Sequence, residues 1–394
     1  MQPADQSLLR IARSMLGVSL GVSCFALANG GNFAVLAVEM ANAGAGETLV
    51  GLSTSTYFLG TLTASLTCGR IVAALGYVRA FALFAVIAAF TTASLSVVTT
   101  VWLWPLVRAL TGIGIGGIYV VLDSWFNHAT SNATRGRTYA YYETVRLTSV
   151  SLGSFLFISL SDQVGANVFI ATSLLYLLAV LPVARNRAGE PPRTTSHRLR
   201  FAQLFRLAPF GMVLCLVGGL TTGAIYGLAP LFGRASGLTT AELGAFVFCS
   251  HFGAFVVQLP AGTLSDLFGR GRVVLWLSLL GAGSALFLAL VERPPVPFLV
   301  LAGLFTGGIC HTVYMLGTIE TNDRLEPVAF LGAAACLLIA YDLGTISGPL
   351  LAALSMDLVG PGGLYFFIAG LMLVLALLQA IRRLPRERSG PAEA

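Results

Sequence analysis

The chain has 394 residues, 56% of them hydrophobic and only 10% charged, with a mean hydropathy of +0.84 and a formal charge of +6. Soluble domains carry about 25% charged residues, so a water-exposed surface is excluded and most of the exterior must face lipid. The positive balance does not point to nucleic acid, because the 23 basic residues, all arginine, fall mainly in short loops between apolar runs.

A bilayer core about 30 Å thick takes roughly 20 residues per helix, so twelve spans would use about 240 residues. Apolar runs broken by charge, Gly and Pro predict spans at 12–37, 48–72, 78–99, 101–124, 138–160, 166–184, 209–232, 241–264, 273–291, 297–320, 328–355 and 362–382. The first, with Arg10, Arg13 and Ala26-Leu27-Ala28, has the outline of a secretory signal and its cleavage site. The run continues to Met40, however, and eleven more follow, so a retained helix is expected. The stretch 185–208, with Arg185, Arg187, Glu190, Pro191, Pro192, Arg193, His197, Arg198 and Arg200, is expected to link two six-helix bundles, 1–184 and 209–394.

With the N-terminus placed in the cytoplasm, nineteen loop and tail arginines fall on that side and only Arg234 and Arg293 on the other. The positive-inside bias therefore predicts both termini to be cytoplasmic. The halves also repeat. Gly69, Gly76 and Arg79 match Gly262, Gly269 and Arg272 at an offset of 193, and Thr111-Gly112, Gly153, Asp162 and Gly165 match Thr306-Gly307, Gly348, Asp357 and Gly360 at 195. Two parallel six-helix repeats predict an all-α membrane protein of twelve transmembrane helices, with a ligand site near the midplane between halves.

The six cysteines lie singly in apolar segments, without a CxxC pair, which gives no disulfide framework or zinc pattern. Asn132-Ala133-Thr134 forms a glycosylation sequon, in a loop expected to be cytoplasmic. Gly112-x-Gly114-x-x-Gly117 imitates a dinucleotide-binding fingerprint, but it lies within an apolar span rather than after a strand, and there glycines serve helix packing.

The segment Gly262-Thr263-Leu264-Ser265-Asp266-Leu267-Phe268-Gly269-Arg270-Gly271-Arg272 joins the eighth and ninth spans and resembles the major facilitator signature GxLxDxxGRxR. The resemblance implies the major facilitator fold and a cytoplasmic gate built on Gly262, Asp266, Gly269, Arg270 and Arg272. Gly is expected to permit close helix approach, and Asp266 to bond arginines or helix N-termini across the gate. The first-half copy, Gly69 to Arg79, has Ala73 where the family has Asp, so no gating role passes to Ala73. Arg108-Ala109-Leu110-Thr111-Gly112-Ile113-Gly114-Ile115-Gly116 is similar to the RxxxGxGxG pattern of the family's fourth helix. In proton-coupled relatives the matching Arg is tied to proton movement, and Arg108 takes that expectation. Gly223 to Leu231, Asp123-Ser124-Trp125-Phe126-Asn127 and Gln258-Leu259-Pro260 resemble a subgroup of uncharacterised bacterial members, with Asp123 where many have Glu.

Ionisable residues within spans are costly and mark pathways. They are Arg108, Glu143 and Arg146 in the first half and His251, His311 and Asp342 in the second. Glu143 and Arg146, three apart, share a helix face and can simply pair. A mid-span carboxyl such as Asp342 readily takes a proton, and histidines ordinarily titrate near neutral pH, so His251, His311 and Asp342 form a candidate proton relay. Each His has a plainer alternative as a neutral hydrogen-bonded packing residue. Thr222 and Tyr226 are four apart, Asn29 and Asn32 three apart, and with Tyr119 and Tyr314 they are candidates to line a cavity.

Together these features lead us to expect a secondary active transporter of the bacterial inner membrane, not an enzyme and without a cofactor or metal. It would move a small organic solute by alternating access with the proton as coupling ion, its other partner being the lipid bilayer. Two buried arginines against one glutamate lean toward an organic anion. Proton-driven efflux of amphipathic drug-like compounds stays open as an alternative, and a non-transporting receptor or assembly protein as a remote one.

Overall fold

The computed structural model describes residues 16–128, 135–165, 167–185, 201–291, 294–326 and 329–383. The sequon at 132–134, Arg10, Arg13, Arg293 and the linker arginines at 187, 193, 198 and 200 lie outside them.

Among the described residues, twelve helices are long and apolar enough to cross a membrane. They are α1 (Leu16–Asn42), α2 (Glu47–Leu75), α3 (Tyr77–Ser94), α4 (Trp104–His128), α5 (Arg135–Val164), α6 (Asn167–Leu178, continued by Val180–Ala184), α7 (Pro209–Ala235), α8 (Thr240–Phe268), α9 (Arg270–Leu290), α10 (Val296–Asn322), α11 (Phe330–Val359) and α12 (Gly363–Arg383). A short helix, Phe201–Leu207, leads into α7, and no strand occurs among the described residues. Most helices run a few residues beyond their apolar stretch. In α8, for example, a capping box extends the start to Thr240: the Thr239 amide donates to Glu242 and the Glu242 amide to the Thr239 hydroxyl. The third span stops short, ending at Ser94 rather than 99, and the sixth keeps within its predicted limits.

The repeat reappears as backbone geometry. Among the described residues six glycines have positive φ: Gly44, Gly76, Gly165, Gly237, Gly269 and Gly360. They form three pairs, 44/237 and 76/269 at an offset of 193 and 165/360 at 195. Each ends a helix or turns the chain into the next, a conformation that costs a residue with a Cβ about 1–2 kcal/mol. The sequence pattern had included Gly76, Gly165, Gly269 and Gly360; Gly44 and Gly237 complete it.

Within each half the same helices pack most closely: α1 on α5 and α2 on α4, then α7 on α11 and α8 on α10. Glycines let these backbones touch. A Cβ on Gly112 would lie 2.0 Å from the Tyr57 carbonyl oxygen, and one on Gly307 would lie 2.0 Å from that of Ser250. Gly114 and Gly117 abut α3 at Ala88 and Phe84, so the dinucleotide lookalike is a packing seam. All six cysteines are free thiols, four of them buried. Large apolar side chains such as Leu66, Phe90, Leu106 and Leu259 are exposed, as a lipid-facing surface requires.

Between the halves, α2 packs on α11 and α5 on α8. The tight contacts sit at the end away from the linker, where a Cβ on Gly51 would meet Ala353 and Pro349 at 2.7 Å and one on Gly244 would meet Ser159 at 2.9 Å. At the linker end, a Cβ on Gly69 or Gly262 would meet nothing within 4 Å. The close approach expected at Gly262 is therefore not made in this conformation: the bundle is pinched at the far end and open around both copies of the loop motif.

Candidate functional site

Arg108 lies one turn into α4 and is completely buried. Its guanidinium carbon is 4.6 Å from the ring centre of Phe33 on α1 and 4.3 Å from that of Tyr57 on α2. None of its three guanidinium nitrogens has a hydrogen-bond partner among the described residues. Burying an ion costs several kcal/mol even after relaxation, whereas a desolvated cation–π contact returns about 2 kcal/mol. Two rings without a hydrogen bond leave the charge under-compensated. The surrounding groups are neutral: Tyr57 donates to Asn29 at 3.1 Å and Asn32 donates to Thr92 at 3.2 Å, while the buried Tyr176 hydroxyl faces Asn32.

Phe33 links this pocket to the other half, with its ring centre 5.3 Å from that of Tyr226 on α7. Tyr226 in turn lies 4.3 Å from His251 on α8 and 5.7 Å from His311 on α10, ring to ring, and the two imidazoles are 6.2 Å apart. His311 Nδ1 is 2.8 Å from the Gly307 carbonyl oxygen, which can only accept, so Nδ1 carries the proton. In the neutral ring Nε2 is then a free acceptor, without a partner among the described residues; the buried His251 has only the Val247 carbonyl of its own helix within reach.

Toward the linker end, Arg146 and Glu143 on α5 form a two-pronged ion pair, with Arg146 Nη2 2.5 Å and Nε 3.1 Å from Glu143 Oε2. The pair is partly exposed, and Arg146 also faces the Tyr119 ring at 5.8 Å. Asp123 on α4 interacts with Tyr142 and lies within electrostatic reach of the pair. Asp342 on α11 is half-buried, its carboxylate without a hydrogen bond among the described residues, one residue from Tyr341, whose ring is 4.7 Å from that of Tyr314.

The structure thus brings Tyr226, His251 and His311 together and places Arg108 one ring away. Asp342 does not contact either imidazole, so the expected three-residue relay is split between two places. Glu143 pairs with Arg146 and leaves Arg108 without a counter-charge. Phe33 and Tyr57, which enclose Arg108, escaped the sequence reading, since an aromatic residue in an apolar span carries no mark of what its ring covers.

In the loop motif, Asp266 is exposed and without a hydrogen-bond or ion-pair partner among the described residues. Arg270 instead pairs with Asp323 beyond α10 and donates to the Ile319 carbonyl at 2.9 Å, while Arg272 reaches the Phe268 carbonyl at the end of α8. Glu320 accepts from Arg324 at 2.7 Å and from Arg382 at 2.8 Å. These contacts stay within the second half, in keeping with the open linker end.

The profile of the Major Facilitator Superfamily matches residues 18–255 and 237–394. The "Uncharacterized MFS-type transporter YcaD" of Salmonella heidelberg (strain SL476) is 27% identical over 334 residues, covering 84% of this chain and 85% of its own, and that of Salmonella typhi aligns equally well. Among solved structures, the nucleoside transporter NupG superposes with a TM-score of 0.77 at 16% identity, covering 93% of this chain and 98% of its own. A point mutant of NupG gives 0.75 at 13%. At that identity the likeness establishes the fold alone. The chain is a multi-pass membrane transporter, not an enzyme, and belongs to the Major Facilitator Superfamily.

Proposed function

We propose that the protein is a proton-coupled secondary transporter that moves a small organic anion by alternating access. The observation that carries this reading is Arg108, a fully buried guanidinium that has neither a hydrogen-bond partner nor a carboxylate against it among the described residues. An anion that reaches it supplies the missing hydrogen bonds, and charge-assisted bonds are about twice as strong as neutral ones. Phe33, Tyr57 and Tyr226 lie where the organic part of the solute would stack. Asp342 remains the first candidate for the coupling proton, as a half-buried, unpartnered carboxyl, with His311 Nε2 the second. Taking the proton neutralises Asp342 but charges His311, and either change alters the cost of closing apolar helices over the group, which is how a proton biases which end is open. The arginine distribution supports a cytoplasmic linker end, and on that reading this conformation is inward-open.

A second reading, efflux of amphipathic compounds, is favoured by the rings along α8. Phe248 and Phe252 are 5.2 Å apart, Phe252 and Phe255 are 5.7 Å apart, and Phe155 of the other half is 6.3 Å from Phe248. Thermal shift on the purified protein with small carboxylates and with cationic amphiphiles separates the two, since a ligand of the native state raises the melting temperature by mass action. Stabilisation by carboxylates, lost in Arg108→Gln and kept in Asp342→Asn, supports the anion reading. Stabilisation by amphiphiles alone, unchanged in Arg108→Gln, overturns it.

A further inference from the structure

At the pinched end two hydrogen bonds cross between the halves. The Thr48 hydroxyl donates to Asp357, and the Thr240 hydroxyl donates to Asp162. The donors stand in the first turns of α2 and α8, and the acceptors in the last turns of α11 and α5. Asp162 and Asp357 are equivalent in the repeat, offset by 195, while Thr48 and Thr240, offset by 192, are one residue from exact equivalence. The same bond is therefore made twice about the pseudo-twofold axis.

Its energetics depend on the state of the transporter. A carboxylate in the last turn of a helix sits at the negative end of its own macrodipole, which is unfavourable. Neither α5 nor α11 has a basic residue in that turn to offset this. When the ends meet, each carboxylate lies at the positive, amide-bearing start of a helix from the other half. Closing the end thus exchanges an unfavourable dipole contact for a favourable one and adds a hydrogen bond. Opening reverses both. The carboxylates are solvent-exposed and the threonines only partly buried, so each bond can break and re-form with little loss of packing. Gly51 and Gly244, one helical turn further along α2 and α8, permit the close approach that brings donor and acceptor together.

We propose that Asp162–Thr240 and Asp357–Thr48 are paired interdomain clasps that hold the end away from the linker closed and set its opening equilibrium. The proposal does not depend on the solute or the coupling ion. The test is a distance distribution between spin labels at Ala43→Cys and Ala235→Cys, exposed positions on opposite halves at that end, in a background with the six native cysteines replaced. Intact clasps give a predominantly short distance. Asp162→Ala or Asp357→Ala raises the ratio of long to short populations about threefold each, and the double variant about tenfold. Thr48→Val with Thr240→Val moves it the same way, by less, because the carboxylates keep the helix dipoles. A double Asp variant that melts cooperatively near the parent temperature with an unchanged distribution overturns the proposal. So does a shift confined to one of the two Asp variants. If the double Asp variant does not fold, the two-Thr variant decides, and an unchanged distribution there overturns it.

Discussion

Arg108 shows how one side chain can work against stability and for function. Its charge is enclosed by Phe33 and Tyr57 and satisfied by neither. Replacing buried ions with apolar residues of similar volume is often neutral or stabilising by about 1–4 kcal/mol. Arg108→Met is therefore expected to melt at or above the parent temperature without ligand while losing anion binding; a lower melting temperature would mean the guanidinium has structural partners. Glu143→Gln acts oppositely. It leaves Arg146 without its counter-charge, and as both side chains are partly exposed the loss is about 1 kcal/mol, read as a modest drop in melting temperature. Which arginine was paired could be foreseen only in part. The three-residue spacing of Glu143 and Arg146 was legible, whereas the rings around Arg108 come from other helices and have no sequence signature of their meeting.

The helices themselves were largely legible, because lipid demands long apolar stretches and permits few other structures. Their ends were less so. Polar caps such as Thr239 and Glu242 extend a helix past its apolar limit, and hydropathy is blind to them. The repeat was readable at Gly76 and Gly269 but not at Gly44 and Gly237, whose neighbours share no other residue type. Two substitutions test the two duties of glycine. Gly269→Ala meets no atom within 4 Å but must hold φ near 82°, so it should cost about 1–2 kcal/mol through backbone strain alone. Gly307→Ala places a methyl on the Ser250 carbonyl and must push α8 and α10 apart, costing about 3 kcal/mol in thermal melts, the upper range for overpacking. Equal effects would contradict the division between turn and seam.

At the scale of the whole molecule, contacts between the halves gather at one end, and both copies of the loop motif stand apart at the other. Asp266 has no partner among the described residues, and Arg270 of the same motif pairs with Asp323 inside the second half. The gate role expected of Asp266 rests on the family resemblance, which concerns contacts across the halves. The central claim is coupling: an anion carried through the Arg108 pocket with a proton. Reconstituted vesicles supply the direct measurement, with interior pH followed when a carboxylate that raises the melting temperature is added outside. The account predicts proton movement that requires the carboxylate and persists in Glu143→Gln. It is to disappear in Arg108→Gln through loss of binding, and in Asp342→Asn with binding retained. Carboxylate flux with no accompanying change in interior pH, or flux undiminished in Arg108→Gln, would contradict it.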